Sequence, residues 1–559
     1  MHMLFAIAIN TLRLIVLPWL LYRRWRGTTK GTWLTVRVNG SVAPLGRASR
    51  VWDGSDKALD LHALHEAAAI ASKDDHVAGL LVELRGLQGG SATAMALRDA
   101  LQAWRTAGKR VIVHLPRGAG ARQLIAASAA DRIVAAPGSE VAPTGFVVEA
   151  PYVKGALDRL GLQADVLAQG RYKTAGEFLV AEGMSEPQRE QVGRLLDVAW
   201  DHMIEALSQG RSVTPDEAKR WVDEGPWLAS EAMEQGIVDD VMYAEDLLRE
   251  LGPKGEEAPT LSVGRYLRRH RALFRPLFRP RRIAVVEVRG AIVSDQPTEW
   301  LPMAVESHVC DALRAAREAP WVRGVVVFVD SRGGSASASE RMLHEVRRLA
   351  KDKPVIACLG DTAASGGYMV AVGTHAIVSQ PTTVTGSIGV VSARVVASKL
   401  LERVGIRVET IKRGAHADMM SATRALDAGE RASLDRVMGT IYRGFVQAVA
   451  TGRGREPEEI EPLASGRVWS GKDALERGLV DRLGGFETAL EEVRKRIGPG
   501  AETMVPVLIA PRKVPSLPTM LRGILEPASV GAAGDLAALS TMGGDRVWAW
   551  SPWAEGDGC

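Results

Sequence analysis

Cysteine is nearly missing from this 559-residue chain, which carries only Cys310, Cys358 and Cys559. Three thiols, far apart, exclude a disulfide framework and a CxxC metal spacing. Cys358, inside the apolar run Pro354-Val-Ile-Ala-Cys358, reads as a buried small hydrophobe. An excess of either charge is missing too. Lys and Arg total 70 against 66 Asp and Glu, a net charge of +4. Five basic residues (Arg13, Arg23, Arg24, Arg26 and Lys30) fall in the first thirty positions with no acid, so the remaining body is almost neutral. That argues against nucleic acid as a partner, since phosphate recognition needs a basic face. GxGxxG, P-loop and HExxH spacings are absent. His62-Ala-Leu-His65-Glu66 lacks the ligand order and reads as a helix surface, so neither metal nor cofactor is expected. What remains is a globular composition, 46% hydrophobic and 24% charged, long enough for two domains.

One long apolar run stands out, residues 3–22, interrupted by Asn10, Thr11 and Arg13 and followed by Arg23-Arg24-Trp25-Arg26. A spanning helix needs about 20 apolar residues, so residues 1–30 are expected to anchor the chain by spanning a membrane in preference to lying on it. The basic cluster after the run would by itself keep the body cytoplasmic.

The chain is duplicated. Val77-Ala-Gly-Leu-Leu-Val-Glu-Leu-Arg-Gly-Leu-Gln-Gly89-Gly90-Ser91 parallels Val322-Arg-Gly-Val-Val-Val-Phe-Val-Asp-Ser-Arg-Gly333-Gly334-Ser335. Leu124 to Pro137 parallels Tyr368 to Pro381 at an offset of 244, and Trp227…Gly236-Ile-Val-Asp239 parallels Trp469…Gly478-Leu-Val-Asp481. Each copy alternates short apolar strands with helical stretches, the pattern of an α/β unit around a largely parallel sheet. The first copy is expected over residues 31–252 and the second over 281–498. A basic linker (253–280) separates them, and an irregular tail (499–559) carries Trp548, Trp550 and Trp553. The stretch from Arg265 to Arg282 holds eight arginines and no acid. It fits either an anionic membrane surface or a solvated linker.

Chemistry concentrates at Asp361-Thr-Ala-Ala-Ser365-Gly366-Gly367-Tyr368, between the strand Val355-Ile-Ala-Cys-Leu359 and an Ala/Val-rich helix. A bend of small residues there lifts a serine towards a helix N-terminus, whose N–H groups can hold an oxyanion. Alanine at 363 rules out the GxSxG elbow. A serine needs a base. The histidines of this copy (His308, His344, His375 and His416) form no recognisable arrangement with an acid. The other copy offers Gly170-Arg171-Tyr172-Lys173-Thr174-Ala175 in an apolar flank, where burial would push a lysine towards neutrality. The duplication strengthens this pairing. Ser365 corresponds to Ala121, and Lys173, through the paired Gly170 and Gly414, to Ala417. Each copy keeps one half of a Ser–Lys pair, as a site shared between fused copies requires.

These motifs, with Thr385-Gly-Ser-Ile-Gly-Val390, resemble the long, two-repeat form of the bacterial signal peptide peptidase A family over roughly residues 31 to 498. The resemblance implies tandem duplicated Clp-protease/crotonase-like α/β domains with an N-terminal membrane anchor. It implies a serine protease in which Ser365 is the nucleophile, Lys173 the general base and Ser387 a hydrogen-bond partner that orients the lysine. Gly333, Gly334 and Gly366 would form the oxyanion hole. It further implies a homotetrameric ring, cleaved signal peptides or other short apolar peptides as substrates, and a body on the periplasmic side of the inner membrane, against the arginine argument. Two positions depart from the family pattern: Arg332 replaces a proline before the glycines, and Thr174-Ala-Gly-Glu-Phe replaces Ser-Ala-x-Glu-Pro. The rival readings are a crotonase-type acyl-thioester enzyme, which commonly needs a carboxylate at the reacting carbon, and an inactive membrane scaffold, which predicts loss of serine or lysine.

Overall fold

The computed structural model describes residues 2–19, 28–46, 58–253, 256–270, 274, 276–294, 303–509 and the backbone of 548–550. Two sheets carry the duplication. Across the first, the strands run Asp240–Val241, Arg132–Ala135, Arg110–Leu115, Val77–Leu87, Thr32–Gly40 and Thr260–Ser262, all parallel. Across the second, the same order recurs as Arg482–Leu483, Ala376–Ser379, Val355–Ala364, Val322–Ser331, Arg282–Arg289 and Pro506–Leu508, again parallel. Even the polar details repeat. Asp239 accepts from the Ile133 N–H at 2.7 Å, as Asp481 does from Ile377, and the indoles of Trp227 and Trp469 each donate to a carbonyl six residues back.

The central strands are continuous apolar runs because helices cover both of their faces. Val325 to Val329 is buried throughout. Helices contribute one apolar stripe each. In Ser91–Thr106 the buried Ala94, Leu97, Leu101 and Trp104 recur at helical spacing and face the first sheet. Cys310 and Cys358 are buried and unpaired, and burial pushes the Cys358 thiol up to about 12.

Several segments differ from their sequence reading. The first part of the basic linker belongs to the first repeat: Thr260–Ser262 extends its sheet, and the helix Val263–His270 buries Val263, Tyr266 and Leu267 while its arginines face outward. An i, i+3, i+4 apolar triplet among arginines is an amphipathic surface helix. Pro506–Leu508 of the tail extends the second sheet, and Trp548–Trp550 forms a further strand; Trp553 lies outside the described residues. His62 is not a helix-surface residue, because its Nδ1 lies 2.7 Å from Glu487 Oε1 of the other repeat. The N-terminal run forms the helix His2–Ile15, and among the described residues no helix is long and apolar enough to cross a membrane. Arg23, Arg24 and Arg26 lie outside the described residues.

The repeats interlock through one strand. Gln163–Gln169 of the first leaves its own sheet and pairs antiparallel with Val390–Val396 of the second, from Gln169 against Val390 to Gln163 against Val396. The lysine predicted as base follows this strand by four residues, and so is delivered into the second repeat.

Candidate active site

Ser365 ends the strand Val355–Ala364 and caps the helix Gly366–Ala371. Its backbone is strained, at φ +55° and ψ −119°, and its N–H is tied to the Gly386 carbonyl at 2.8 Å. A serine held in that region needs surroundings that over-determine it. The two glycines after it supply the room: a Cβ at Gly367 would come within 2.6 Å of the Ser331 carbonyl oxygen, and one at Gly366 would collide with Ser339 Oγ. Such a Gly366 Cβ would also lie 3.3 Å from Gly333 Cα, so the glycine strand Gly333–Ser335 runs directly beside the serine turn. Gly334 has φ +155° and packs against the Ile292 backbone. The Gly333 N–H is already engaged, donating to Ser331 Oγ at 3.1 Å. Arg332 is half-buried, with Asp330 as its opposing charge.

Lys173 reaches this point from the other repeat. Its Nζ lies 2.8 Å from Ser365 Oγ, 2.9 Å from Ser387 Oγ and 3.0 Å from the Ser387 carbonyl oxygen. The three side chains are almost wholly buried, with Lys173 4% exposed. Desolvation pulls the ammonium down to about 7. Ser387 also has a positive φ, +53°, and its N–H donates to the Arg467 carbonyl at 2.7 Å.

The sequence reading brought Ser365, Lys173, Ser387 and the three glycines forward, and all six lie around one point. It missed what holds the lysine. The Tyr172 N–H donates to the Ser465 carbonyl at 2.8 Å, and a Cβ on Gly466, itself at φ +79°, would come within 2.5 Å of Lys173 Cβ. Gln191, on the long helix Glu186–Arg211, donates to the Tyr172 carbonyl and to Thr174 Oγ1 and accepts from the Val468 N–H. No sequence signal singled it out, because the helix also carries Gln188 and Gln209 and burial is set only by the fold. The duplicate positions are empty of chemistry. Ala121 opens the helix Ala121–Ala127, and Ala417 is exposed. Among the described residues no group of three or more His, Cys, Asp or Glu side chains is placed to hold a metal.

One more segment reaches the site. Trp548–Trp550 pairs antiparallel with the glycine strand, Gly334 against Ala549, and Trp548 also pairs with Val391.

A buried amine on a strained serine is the arrangement of nucleophilic hydrolases that take lysine in place of histidine as base. The comparisons narrow that class. The chain belongs to peptidase family S49, whose profile matches it twice, over residues 103–255 and 347–498, once in each repeat. It is therefore a serine peptidase. A chloroplastic serine protease SPPA of Arabidopsis thaliana is 28% identical over 508 residues, covering 89% of this chain and 74% of that protein. Protease 4 of Salmonella typhi is 30% identical over 471 residues (81% and 75%), and Protease 4 of Haemophilus influenzae is 29% identical over 458 (78% and 72%).

Proposed function

We propose that this chain is a membrane-associated serine endopeptidase that uses a Ser365–Lys173 dyad shared between its repeats to degrade cleaved signal peptides or other short apolar peptides. The observation that carries the reading is the 2.8 Å contact between Lys173 Nζ and Ser365 Oγ inside a closed, desolvated pocket. Neutral Lys173 takes the hydroxyl proton as Ser365 attacks the peptide carbonyl. The N–H groups of Gly366 and Gly334 receive the oxyanion, while Gly333, its own N–H engaged, makes the bend beside them. Lys173 then protonates the leaving amine, and water hydrolyses the acyl-enzyme with the lysine again as base. Ser387 holds the amine aimed at Ser365 through both transfers.

An extended substrate has a ready path. The pairing of Trp548–Trp550 with Gly333–Ser335 and Val391 supports binding of a peptide as an added strand between these two strands of the second repeat. No carboxylate stands in the dyad, and both serine and lysine are retained, which weighs against the thioester and scaffold readings.

Assembly into a head-to-tail ring is supported by two open edges. The counterpart of the lysine strand in the second repeat, residues 407–413, has no strand partner among the described residues, and it exposes Val408 and Ile411, the latter at 91%. The counterpart of Val390–Val396 in the first repeat, residues 146–152, is equally open, with Val147 exposed. The pairing made once within the chain can thus be repeated between copies, and a heterologous contact of this kind gives a ring when the rotation between copies closes. Four copies, the helix His2–Ile15 at an inner membrane and a periplasmic body complete the proposal.

Hydrolysis of a quenched apolar peptide by wild type, Ser365→Ala and Lys173→Ala, with a fluorophosphonate probe on each, tests the chemistry. Activity and labelling in wild type alone are expected. A Lys173→Ala variant with near-normal turnover would sink the dyad. A monomer in native mass spectrometry, unchanged by Ile411→Asp, would remove the ring.

A further inference from the structure

The glycine loop of the first repeat does no chemistry, yet it is occupied. Gly89-Gly90-Ser91 is the counterpart of Gly333-Gly334-Ser335, and each loop opens a helix behind a central strand. In the second repeat the helix is capped by its own Ser335, whose side chain accepts from the Ala338 N–H. In the first repeat the N-cap is Gly90, which has no side chain to offer. The cap comes instead from the other repeat: the Asp361 carboxylate accepts from Gly90 N–H at 2.8 Å, Thr93 N–H at 2.8 Å and Thr93 Oγ1 at 2.6 Å. Gly89, at φ +114°, lies so close that a Cβ there would be 3.0 Å from Asp361 Oδ2. The loop is built to the plan of an oxyanion loop and holds the Asp361 side chain.

Asp361 stands four residues before Ser365, on the strand that leads into it. Around Asp361 the strand breaks register: Val329 pairs with Leu359, but Ser331 pairs with Ala363, leaving extra residues around 360–362. A bulge of this kind re-aims the residues that follow it. It is pinned from its own sheet by Asp330, which accepts from the Thr362 N–H at 3.2 Å, and from the opposite repeat by the clamp on Asp361.

We infer that Asp361 is a positioning residue: by seating in the vestigial glycine loop of the first repeat, it fixes the bulge that aims Ser365 at Lys173. The inference rests on Ser365 and Lys173 as the dyad. The two reacting atoms come from different repeats, so a slip between repeats changes their separation directly, and Asp361 ties the nucleophile's strand to the lysine's repeat close to the reacting atom.

The test uses the full chain with Asp361→Asn, Thr93→Val, the double variant and Asp99→Asn. Asp99 lies on the same helix and accepts from Gln380 across the same interface, at 2.8 Å, but away from the serine turn. Asp361→Asn is expected to lower kcat by about 10- to 100-fold with KM within about twofold, the scale of misplaced reacting groups. Opening the pocket to water should also raise the apparent pKa of kcat/KM by about one unit towards the ordinary lysine value. Thr93→Val should act in the same direction but less, and the double variant should be no worse than Asp361→Asn, since one shared contact is being removed. Asp99→Asn should lower the thermal midpoint and leave the pH profile in place. Wild-type kcat and pH profile in Asp361→Asn, or an equal shift in Asp99→Asn, overturns the inference. If Ser365→Ala keeps full activity, the dyad itself has failed, a separate result.

Discussion

Lys173 is held in a pocket that opposes its charge, and the cost can be read as a pH-dependent stability. Replacing it by methionine keeps much of the length and removes the ammonium. In the unfolded chain the lysine holds its proton up to 10.5, whereas in the fold it loses it near 7. Between those values the unfolded state binds more protons, so wild-type stability rises with pH through the window. The full difference, 10.5 less about 7, corresponds to about 5 kcal/mol at 1.36 kcal/mol per unit. Lys173→Met lacks this rise. It also loses the contacts to Ser365 and Ser387, at about 1 kcal/mol each, but that loss does not vary across the window. Denaturant midpoints for both proteins at intervals from pH 6 to 10 should therefore converge or cross, with the variant gaining on wild type as pH falls. The wild-type kcat/KM should rise through an apparent pKa near 7, and the variant should be inactive. Parallel stability curves for the two proteins over that range would refute the claim that burial sets the lysine's charge.

Ser387→Ala removes one of the lysine's contacts while sparing Ser365, the proposed nucleophile; kcat should fall by about 10- to 100-fold, with Ser365 still labelled by a fluorophosphonate, though more slowly. Gly466→Ala places a methyl against Lys173 Cβ at a positive φ, so activity should be lost while circular dichroism stays that of a folded chain, and the thermal midpoint should drop. Truncation before Trp548 vacates the strand beside Gly333–Ser335; if peptide substrates use that edge, KM should fall in steady-state assays, and an unchanged KM would show that they bind elsewhere.

The alternation of strands and helices and the duplication were legible because apolar periodicity and glycine turns are local, and two copies at one offset report on each other, whereas the order of the strands across each sheet came only from the fold. The complementary alanines at 121 and 417 pointed to a shared site for the same reason. The helix Val263–His270 was obscured by its arginines, since a triplet such as Val263, Tyr266 and Leu267 becomes a core stripe only when a sheet lies beneath it. Asp361 could be seen in the motif but not understood, because its three donors lie more than 260 residues away.

The sequence by itself determined which groups exist: one serine turn, one lysine in an apolar flank, and the loss of each from the other copy. The tertiary structure alone decided that they meet. Ser365 and Lys173 are 192 residues apart, and they are joined by the strand Gln163–Gln169 crossing to Val390–Val396. The lysine's proton affinity belongs to neither motif. It is set by the exclusion of water, which depends on what the second repeat packs around the amine.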